Sequence, residues 1–486
     1  MGLKPDKHFV KVTIPGSLLD AALQPPVSSL VHQPDGLSTA AGRHDYVTHG
    51  MLLPLSLCGG SVADWCRGLD QSDDAVAYAL ELAEFIYSQA SQGRWKIALL
   101  LPLAWRGRWE EGEWRDTTQW FKQHIEESLG KIPGKLLKMV TTLDEAQLLA
   151  SPQPADMAVV VVRVGAVSVR DDASLTSALS ESRLPLFVFE LATRCRPSVA
   201  LPKLMHAFTV VKFELARRYG FCAVDQPPVE TYKRLVAKMR SETGAVDGFV
   251  KALRAGDLLS SRASSAAIDL CVPAESDQFA DGWQLSFGGA LGGDAHAGSA
   301  ELAAEMQRHS LDASKWQDVL VGVHLLATRR HGCGLYGEYI YYGNLSQGDE
   351  AQALRTLLVS EGAHMLWRGT LGSFADVGKG PAVGHSTHAM GKQGSVLTLA
   401  LLPSEHATPH ASLAAMSHEY QEQNALAAVM ALAGYDLDTN GELCKPGHDG
   451  LALLLRIPRN DAASRAVLCA ALRRVGDVLR SRRGIS

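Results

Sequence analysis

Short apolar runs alternate with amphipathic segments along the first half of the chain. Trp95–Leu101 and Met157–Val162 are apolar without a polar alternation, and the second run contains four consecutive valines. Short runs rich in β-branched residues are typical of strands that are buried on both faces of a sheet. By the same pattern, Lys135–Val140 and Leu184–Leu191 are predicted to be strands.

Amphipathic segments separate these strands. They predict helices over three ranges: 116–128, 174–180 and 201–219. Gly130 and Gly220 follow the first and the third of these helices, and glycine commonly ends a helix. Pro227 and Pro228 predict the start of a further helix, because proline fits a first helical turn. Regular alternation of strands and helices predicts an α/β fold, with a parallel sheet in a three-layer αβα domain over residues 41–240.

The remaining sequence does not show this regular alternation of predicted strands and helices. Residues 1–40 contain several prolines, serines and glycines and predict an irregular lead-in. Residues 241–300 are predicted to be a linker with a glycine-rich loop at Gly288–Gly298, which lacks the Gly-Lys-Ser/Thr of a phosphate-binding P-loop. Residues 301–486 are predicted to form an α+β C-terminal region. Its predicted strands are Val319–Ala327, Tyr339–Tyr342, Val396–Leu402 and Leu451–Ile457, and its predicted helices are Glu419–Ala433 and a last one from Ala462.

Composition narrows the class of protein. With 486 residues, 46% hydrophobic and 20% charged, the chain resembles a soluble globular protein of two or three domains. A net charge of −5 argues against general electrostatic binding to nucleic acid. The apolar runs are too short for a membrane-spanning helix, and Met1–Pro15 does not have the pattern of a signal peptide. The eight cysteines are scattered without a Cys-x-x-Cys pair, so we expect reduced thiols in a cytoplasmic protein.

Two polar motifs carry the candidate chemistry. The first, Glu-Ser-x-Gly-Lys, occupies 127–131, and the second, Asp-Gln-x-x-Val-Glu-x-x-Lys, occupies 225–233. In this order they resemble the phosphoglucose isomerase family, most closely the isomerase part of the bifunctional transaldolase/glucose-6-phosphate isomerase. The resemblance implies the sugar-isomerase (SIS) fold for the α/β domain. It also implies aldose–ketose isomerisation of glucose 6-phosphate and fructose 6-phosphate through an enediolate, without a cofactor, as in glycolysis and gluconeogenesis.

The resemblance assigns roles to three residues of these motifs. Glu127 matches the carboxylate that moves the proton between sugar carbons, and a position near a helix C-terminus is expected to raise its pKa. Gln123, one helical turn earlier, matches a substrate-binding amide. Lys233 matches the lysine that opens the sugar ring, and lysine suits that role because it can donate a proton. The alternative is that Glu127 and Lys233 are ordinary surface residues on the polar sides of their helices.

Two further segments match the family less completely. Gly42-Arg43, followed by the apolar segment 51–56, resembles a family segment in which the arginine stabilises the enediolate, although His44 and Asp45 replace its aromatic residue and serine. A solvated loop arginine is the alternative for Arg43. The second segment, 379–392, resembles the histidine-containing segment of the transaldolase-fused relatives.

In that second segment the match is partial. Ala382 stands at the family's arginine position, and Gly391 stands at its second histidine position. The resemblance predicts His385 as a catalytic residue, with Ser386, Thr387 and His388 as substrate-binding residues. A metal is not expected at His385 and His388, because zinc requires three or four ligands in fixed geometry.

The resemblance leaves phosphate binding unexplained. In the family an SIS domain that binds the substrate phosphate precedes the Gly-Arg segment, and the residues before Arg43 are too few for such a domain. Three explanations remain open: a partner supplies the missing domain (a separate N-terminal SIS subunit, a transaldolase or an oligomer mate), basic residues of this chain hold the phosphate in another way, or the protein no longer catalyses. Two functions remain open: a sugar-phosphate isomerase, or a non-catalytic sugar-phosphate-binding or scaffold protein with a degenerate isomerase fold. For the isomerase, Glu127 and Lys233 should face one pocket, roughly 6–12 Å apart, with Arg43 and His385 nearby.

Overall fold

The computed structural model of the chain describes most of the predicted elements. The described residues are 10–13, 28–31, 49–101, 118–130, 137–140, 155–164, 181, 184–191, 197–223, 227–242, 284–288, 295–312, 315–332, 335–342, 348–380, 396–403, 418–432, 436–441, 443–444, 451–457 and 460–483. The predicted helix over 174–180 lies outside these ranges.

The first half of the chain contains six strands and six helices among the described residues. In chain order they are β1 (Val10–Thr13), β2 (Ser28–Val31), α1 (His49–Leu57), α2 (Val62–Asp70), α3 (Asp73–Ser91), β3 (Lys96–Leu100), α4 (Thr118–Leu129), β4 (Lys138–Val140), β5 (Met157–Val164), β6 (Leu186–Leu191), α5 (Pro197–Tyr219) and α6 (Pro227–Ser241). The strands and helices predicted between Trp95 and Tyr219 are confirmed wherever the structure describes them.

The second half continues the same numbering. In chain order its elements are β7 (Gln284–Gly288), α7 (Ala295–Arg308), α8 (Trp316–His331), β8 (Tyr336–Tyr341), α9 (Gly348–Leu357), a π-helix (Leu358–Leu371), β9 (Phe374–Lys379), β10 (Val396–Pro403), α10 (His418–Leu432), β11 (Asp436–Leu437), β12 (Leu443–Cys444), β13 (Leu451–Ile457) and α11 (Ala462–Arg483). The predicted strand Val319–Ala327 is wrong, because these residues lie within α8.

Two mainly parallel sheets organise the chain. The first has the order β4-β3-β5-β6, and all its strands are parallel. The second has the order β7-β13-β10-β8-β9, in which β7 alone runs antiparallel, to β13. The prediction of an α+β C-terminal region is therefore wrong in its sheet: four of these five strands are parallel. The α/β class is confirmed for both halves.

The two sheets share one strand order. Among the parallel strands of each sheet, taken in chain order, the first (β3 or β8) pairs with the second (β4 or β9) and the third (β5 or β10), and the third pairs with the fourth (β6 or β13). A long helix follows the fourth strand in both cases. We call the first sheet with α1 to α5 the first unit. We call the second sheet with α6 to α11, the π-helix, β11 and β12 the second unit.

Two segments predicted to be irregular contain strands. Within the lead-in, β1 and β2 pair in parallel. Within the predicted linker over 241–300, β7 adds an antiparallel edge strand to the second sheet, and α7 begins at Ala295. Helix α6 also departs from the predicted boundary, because it packs against α10 and β11 of the second unit although it falls within 41–240.

The first sheet has a different partner on each face. One face, with Ile97 and Val160, packs on α2 to α5 in an aromatic and aliphatic core. The other face, with Ala98 and Val159, packs against the residues at which β8, β9 and β10 begin: Tyr336, Phe374 and Val396. The second unit therefore takes the place of the outer helical layer on this face. None of the described helices is both long enough and apolar enough to cross a membrane.

Candidate functional site

The first motif ends helix α4, which is buried along most of its length. Trp120 stacks on the ring of His124 with the ring centroids 4.4 Å apart, and the His124 Nε2 lies 3.2 Å from the Thr209 hydroxyl of α5. His124 is fully buried. These contacts fix one side of α4 against α5, so Glu127 occupies a defined position on another side of the helix.

Gln123 and Glu127 form a hydrogen-bonded pair on α4. The Gln123 amide donates to Glu127 Oε2 at 3.0 Å, as expected for side chains one helical turn apart. Glu127 is only 3% exposed. The alternative of an exposed helical face is therefore wrong for Glu127. Its carboxylate is held in a fixed orientation by a neutral donor.

The neighbouring Glu126 belongs to a buried cluster of charges between the two units. We call Lys122, Glu126, Lys138, Glu338 and Asp376 the interunit charge cluster. Lys138 bonds to Glu338, and Lys122 bonds to Asp376. The Lys138 Nζ also lies 3.4 Å from Glu126 Oε2 and 3.7 Å from Asp376 Oδ2. All five residues are buried, and the cluster joins α4 and β4 of the first unit to β8 and β9 of the second.

Burial and pairing shift the titration of these groups in opposite directions. Burial lowers the pKa of Lys122 to about 8, although Glu126 opposes the shift. Burial raises the pKa of Glu126, against the attraction of Lys122 and Lys138. Burial also disfavours the charge on Lys138, but the carboxylates of Glu126 and Glu338 outweigh it and raise the pKa of Lys138. Burial therefore raises the pKa of Glu126, which is the residue before the predicted base in the sequence.

A third lysine of the first unit also reaches the second unit. The Lys96 Nζ lies 2.8 Å from Asp156 Oδ2, and it donates to the Ser373 hydroxyl at 3.0 Å and to the Leu335 carbonyl at 3.4 Å. Lys96 is fully buried and is the register partner of Lys138 on the adjacent strand. The two lysines therefore extend side by side from the first sheet, Lys96 toward the residues just before β8 and β9 and Lys138 toward the first half of these strands.

Lys96, Lys122 and Lys138 are not among the residues that the sequence pattern predicts for the site. A signal for two of them was present, because Lys96 and Lys138 interrupt apolar segments that were predicted to be strands. A lysine within a strand buried on both faces requires a charged or polar partner, since lysine is almost never fully buried otherwise. The identity of those partners was not visible, because Glu338 lies 200 residues from Lys138.

The second motif lies on α6. Lys233 has a side chain that is 53% exposed, and its Nζ is 2.7 Å from Glu230 Oε1 in a surface ion pair. The preceding Tyr232 is buried, donates to Asn424 Oδ1 of α10, and packs with Ile340 and with Tyr342 just after β8. Burial, with the nearby Tyr232 phenol and the Glu338 carboxylate, raises the pKa of Tyr342.

Both motif helices are therefore connected to the same strand of the second unit. Through Lys138, Glu126 of α4 connects to Glu338 on β8, and Tyr232 of α6 packs on Tyr342 directly after β8. Four residues of a strand span about 13 Å. Strand β8 thus brings the residues that precede Glu127 and Lys233 to one face of the second sheet.

The other predicted site residues cannot be placed in this arrangement. Arg43, His385, Ser386, Thr387 and His388 lie outside the described residues, so their roles stay predictions. Among the residues that the structure describes, no group of three or more histidine, cysteine or acidic side chains could hold a metal ion. An open pocket of about 550 Å³ lies between α9, the π-helix and α11. It is lined by Gln352, Ala353, Thr356, Leu357, Ser360, Glu361 and Cys469 and contains no predicted site residue.

Comparison with known proteins does not identify the chain. No family model and no curated protein matches it. Among solved structures, a hypothetical protein from Thermus thermophilus is 10% identical with a TM-score of 0.24, over 89% of this chain and 91% of that chain. A "putative sugar binding protein" from Salmonella typhimurium is 9% identical with a TM-score of 0.19, over 70% of this chain and 82% of that chain. At TM-scores this low, neither likeness supports an inference about this chain.

Proposed function

We propose that the protein is an aldose–ketose isomerase that interconverts glucose 6-phosphate and fructose 6-phosphate. The observation that supports this most directly is that both motif helices are connected to one face of strand β8, α4 through Lys138 of β4 and α6 through Tyr232. A base and a ring-opening acid must reach one six-carbon sugar although their motifs are far apart in sequence. Because a strand within a sheet is rigid, a connection to the same strand keeps the distance and orientation between the two helices constant.

In this proposal Glu127 is the base. Its carboxylate removes the C2 proton from the open-chain aldose to give an enediolate, the proton of the C2 hydroxyl passes to O1, and the protonated Glu127 returns a proton to C1 to give the ketose. The proton and electron balance closes within the sugar, so no cofactor is consumed. The hydrogen bond from Gln123 orients the carboxylate, and a buried site protects the enediolate from water.

Lys233 is the proposed acid that protonates the ring oxygen. To reach a sugar, its ammonium must leave the surface ion pair with Glu230. Exposed pairs of this kind contribute only about 0–1 kcal/mol, so this rearrangement costs little. The same exposure also supports the second candidate function, a non-catalytic sugar-phosphate-binding protein, because an acid half exposed to water is poorly placed for ring opening.

Solvent isotope exchange tests the proposal. The protein is incubated with fructose 6-phosphate in deuterated buffer, and deuterium incorporation at C1 and formation of glucose 6-phosphate are followed by NMR. Removal of a general base lowers the rate by about 10²–10⁴-fold, so Glu127→Gln should lose nearly all exchange while its thermal stability changes little.

A matched pair of variants tests Lys233. Lys233→Ala should slow isomerisation, whereas Lys238→Ala should not, although Lys238 of the same helix also forms an ion pair, with Glu242 just after the helix ends. Binding of fructose 6-phosphate in calorimetry without deuterium incorporation would favour the non-catalytic function. Absence of both binding and exchange would exclude both functions for these substrates.

A further inference from the structure

We infer that Glu338 and Asp376 of the second unit are positioning residues for Glu127, an inference that rests on the proposed function. Both carboxylates bond to lysines of the first unit. They act on helix α4 through these two lysines. The contacts within the interunit charge cluster connect the two carboxylates to the helix in three steps.

The first step of the path ties the last turns of α4 to strand β4. Glu126 Oε1 accepts the backbone N–H of Met139 at 2.8 Å, and Glu126 Oε2 lies 3.4 Å from the Lys138 Nζ and 3.8 Å from the Lys122 Nζ. Strand β4 lies at the edge of the first sheet, so Met139 can offer this donor to a side chain. Both oxygens of Glu126 are thereby engaged, and the helix cannot rotate without breaking a contact.

The second step ties the same lysines to a rigid part of the second unit. Lys138 bonds to Glu338, and Lys122 bonds to Asp376. Glu338 and Asp376 are register partners on the parallel strands β8 and β9, so their spacing is fixed by the sheet. The second unit thus presents two carboxylates at a constant separation to two lysines.

The third step is the geometry of one helix. Lys122 and Glu126 are one turn apart on α4, and Gln123 and Glu127 are the next residue along in each case. Side chains at consecutive positions of a helix point about 100° apart. Whatever fixes the rotation of α4 at Lys122 and Glu126 therefore fixes the direction of the Glu127 carboxylate as well.

The consequence of losing one of these carboxylates follows from the burial of the cluster away from water. Lys122 and Lys138 are both buried, and each of them loses its shortest ion pair when its carboxylate of the second unit is replaced, which is unfavourable in a buried site. The lysine relaxes toward water or toward another carboxylate, and α4 moves with it, directly in the case of Lys122 and through the contact with Glu126 in the case of Lys138. A displacement near 1 Å at a catalytic base lowers turnover by about a hundredfold.

Hydrogen exchange and kinetics of Glu338→Gln and Asp376→Asn test this inference together. Amide exchange is followed by mass spectrometry in α4, over 118–129, with α11 as the internal reference. We expect exchange in α4 to become about tenfold faster in both variants and to stay unchanged in α11, as for a local opening. In the isomerase assay kcat should fall by about a hundredfold with KM unchanged.

Glu361→Gln is the matched control. Glu361 is also a carboxylate of the second unit in an ion pair, with Arg473, but its partner lies on α11 rather than in the first unit. This variant should retain wild-type kcat and wild-type exchange in α4. Unchanged exchange in α4 for both test variants, or equal acceleration in α4 and α11, would overturn the inference. Absence of solvent isotope exchange by the wild-type protein would instead overturn the proposed function, and the two failures are therefore distinguishable.

Discussion

Replacement of Lys138 by methionine would show how strongly charge holds the two units together. Lys138 is fully buried, bonds to Glu338, and has Glu126 and Asp376 within 4 Å at 3.4 and 3.7 Å. Its loss changes the cluster from two lysines and three carboxylates to one lysine and three carboxylates. Removal of one partner from a buried ion pair costs about 3–5 kcal/mol, and we expect Lys138→Met to lower the free energy of unfolding by that amount.

A double variant separates charge balance from packing. Lys138→Met with Glu338→Leu leaves one lysine and two carboxylates, which restores the original net charge of the cluster, since two lysines and three carboxylates also sum to −1. Replacement of a buried pair by apolar side chains of similar volume is often neutral or stabilising. The double variant should therefore be more stable than Lys138→Met alone.

Urea unfolding at pH 7, followed by far-UV circular dichroism, measures the free energy of unfolding of the wild type, of the single variants Lys138→Met and Glu338→Leu, and of the double variant. Lys203→Met is a suitable control, because Lys203 is also buried but its partner Asp74 has a side chain that is 43% exposed. Water screens the ion pair between Lys203 and Asp74, so Lys203→Met should lower the free energy of unfolding by less than Lys138→Met does. A Lys138→Met variant within about 0.5 kcal/mol of the wild type would refute the reasoning. So would a double variant no more stable than Lys138→Met.

Two further predictions concern titration and packing. Burial lowers the pKa of Lys122 from 10.5 to about 8, so between these pH values the unfolded chain holds a proton that the folded chain has released. Stability from this group should therefore rise with pH across that window, and urea unfolding at pH 8 and 10 should show a smaller rise for Lys122→Met. Gly337→Ala places a Cβ in steric conflict with the indole ring of Trp367 and should lower the free energy of unfolding, measured by thermal unfolding, by about 1–3 kcal/mol. Gly476→Ala, whose Cβ meets its nearest atom at 3.4 Å, should instead be neutral or stabilising by about 0.5–1 kcal/mol.

Local pattern was sufficient for most elements of the fold but failed at α8. The valines of Met157–Val162 predict a buried strand, and β5 is such a strand. The run 319–327 has a similar composition, yet it forms a helix in which every residue from Asp318 to Ala327 is buried. A helix enclosed on all sides has no polar face and therefore no period of 3.6 residues, so its sequence resembles that of a buried strand.

The candidate site was predictable to the extent that it depends on one helix. Gln123 and Glu127 lie one turn apart, and this spacing alone predicts the hydrogen bond between them. The interunit charge cluster depends instead on the register of β8 beside β9 and on the docking of the two sheets. Asp376 lies 254 residues from Lys122, and no local pattern encodes such a pairing.

The order of synthesis gives the cluster a consequence for folding in the cell. The 200 residues between Lys138 and Glu338 take about 10–40 s to translate at about 5–20 residues per second. During this interval the nascent first sheet has already emerged, with Asp156 beside Lys96 and Glu126 beside Lys138, but Glu338, the carboxylate that bonds to Lys138 from the second unit, does not yet exist. The sheet face that carries Lys96 and Lys138 therefore stays open to water, and it closes only after β8 and β9 have left the ribosome.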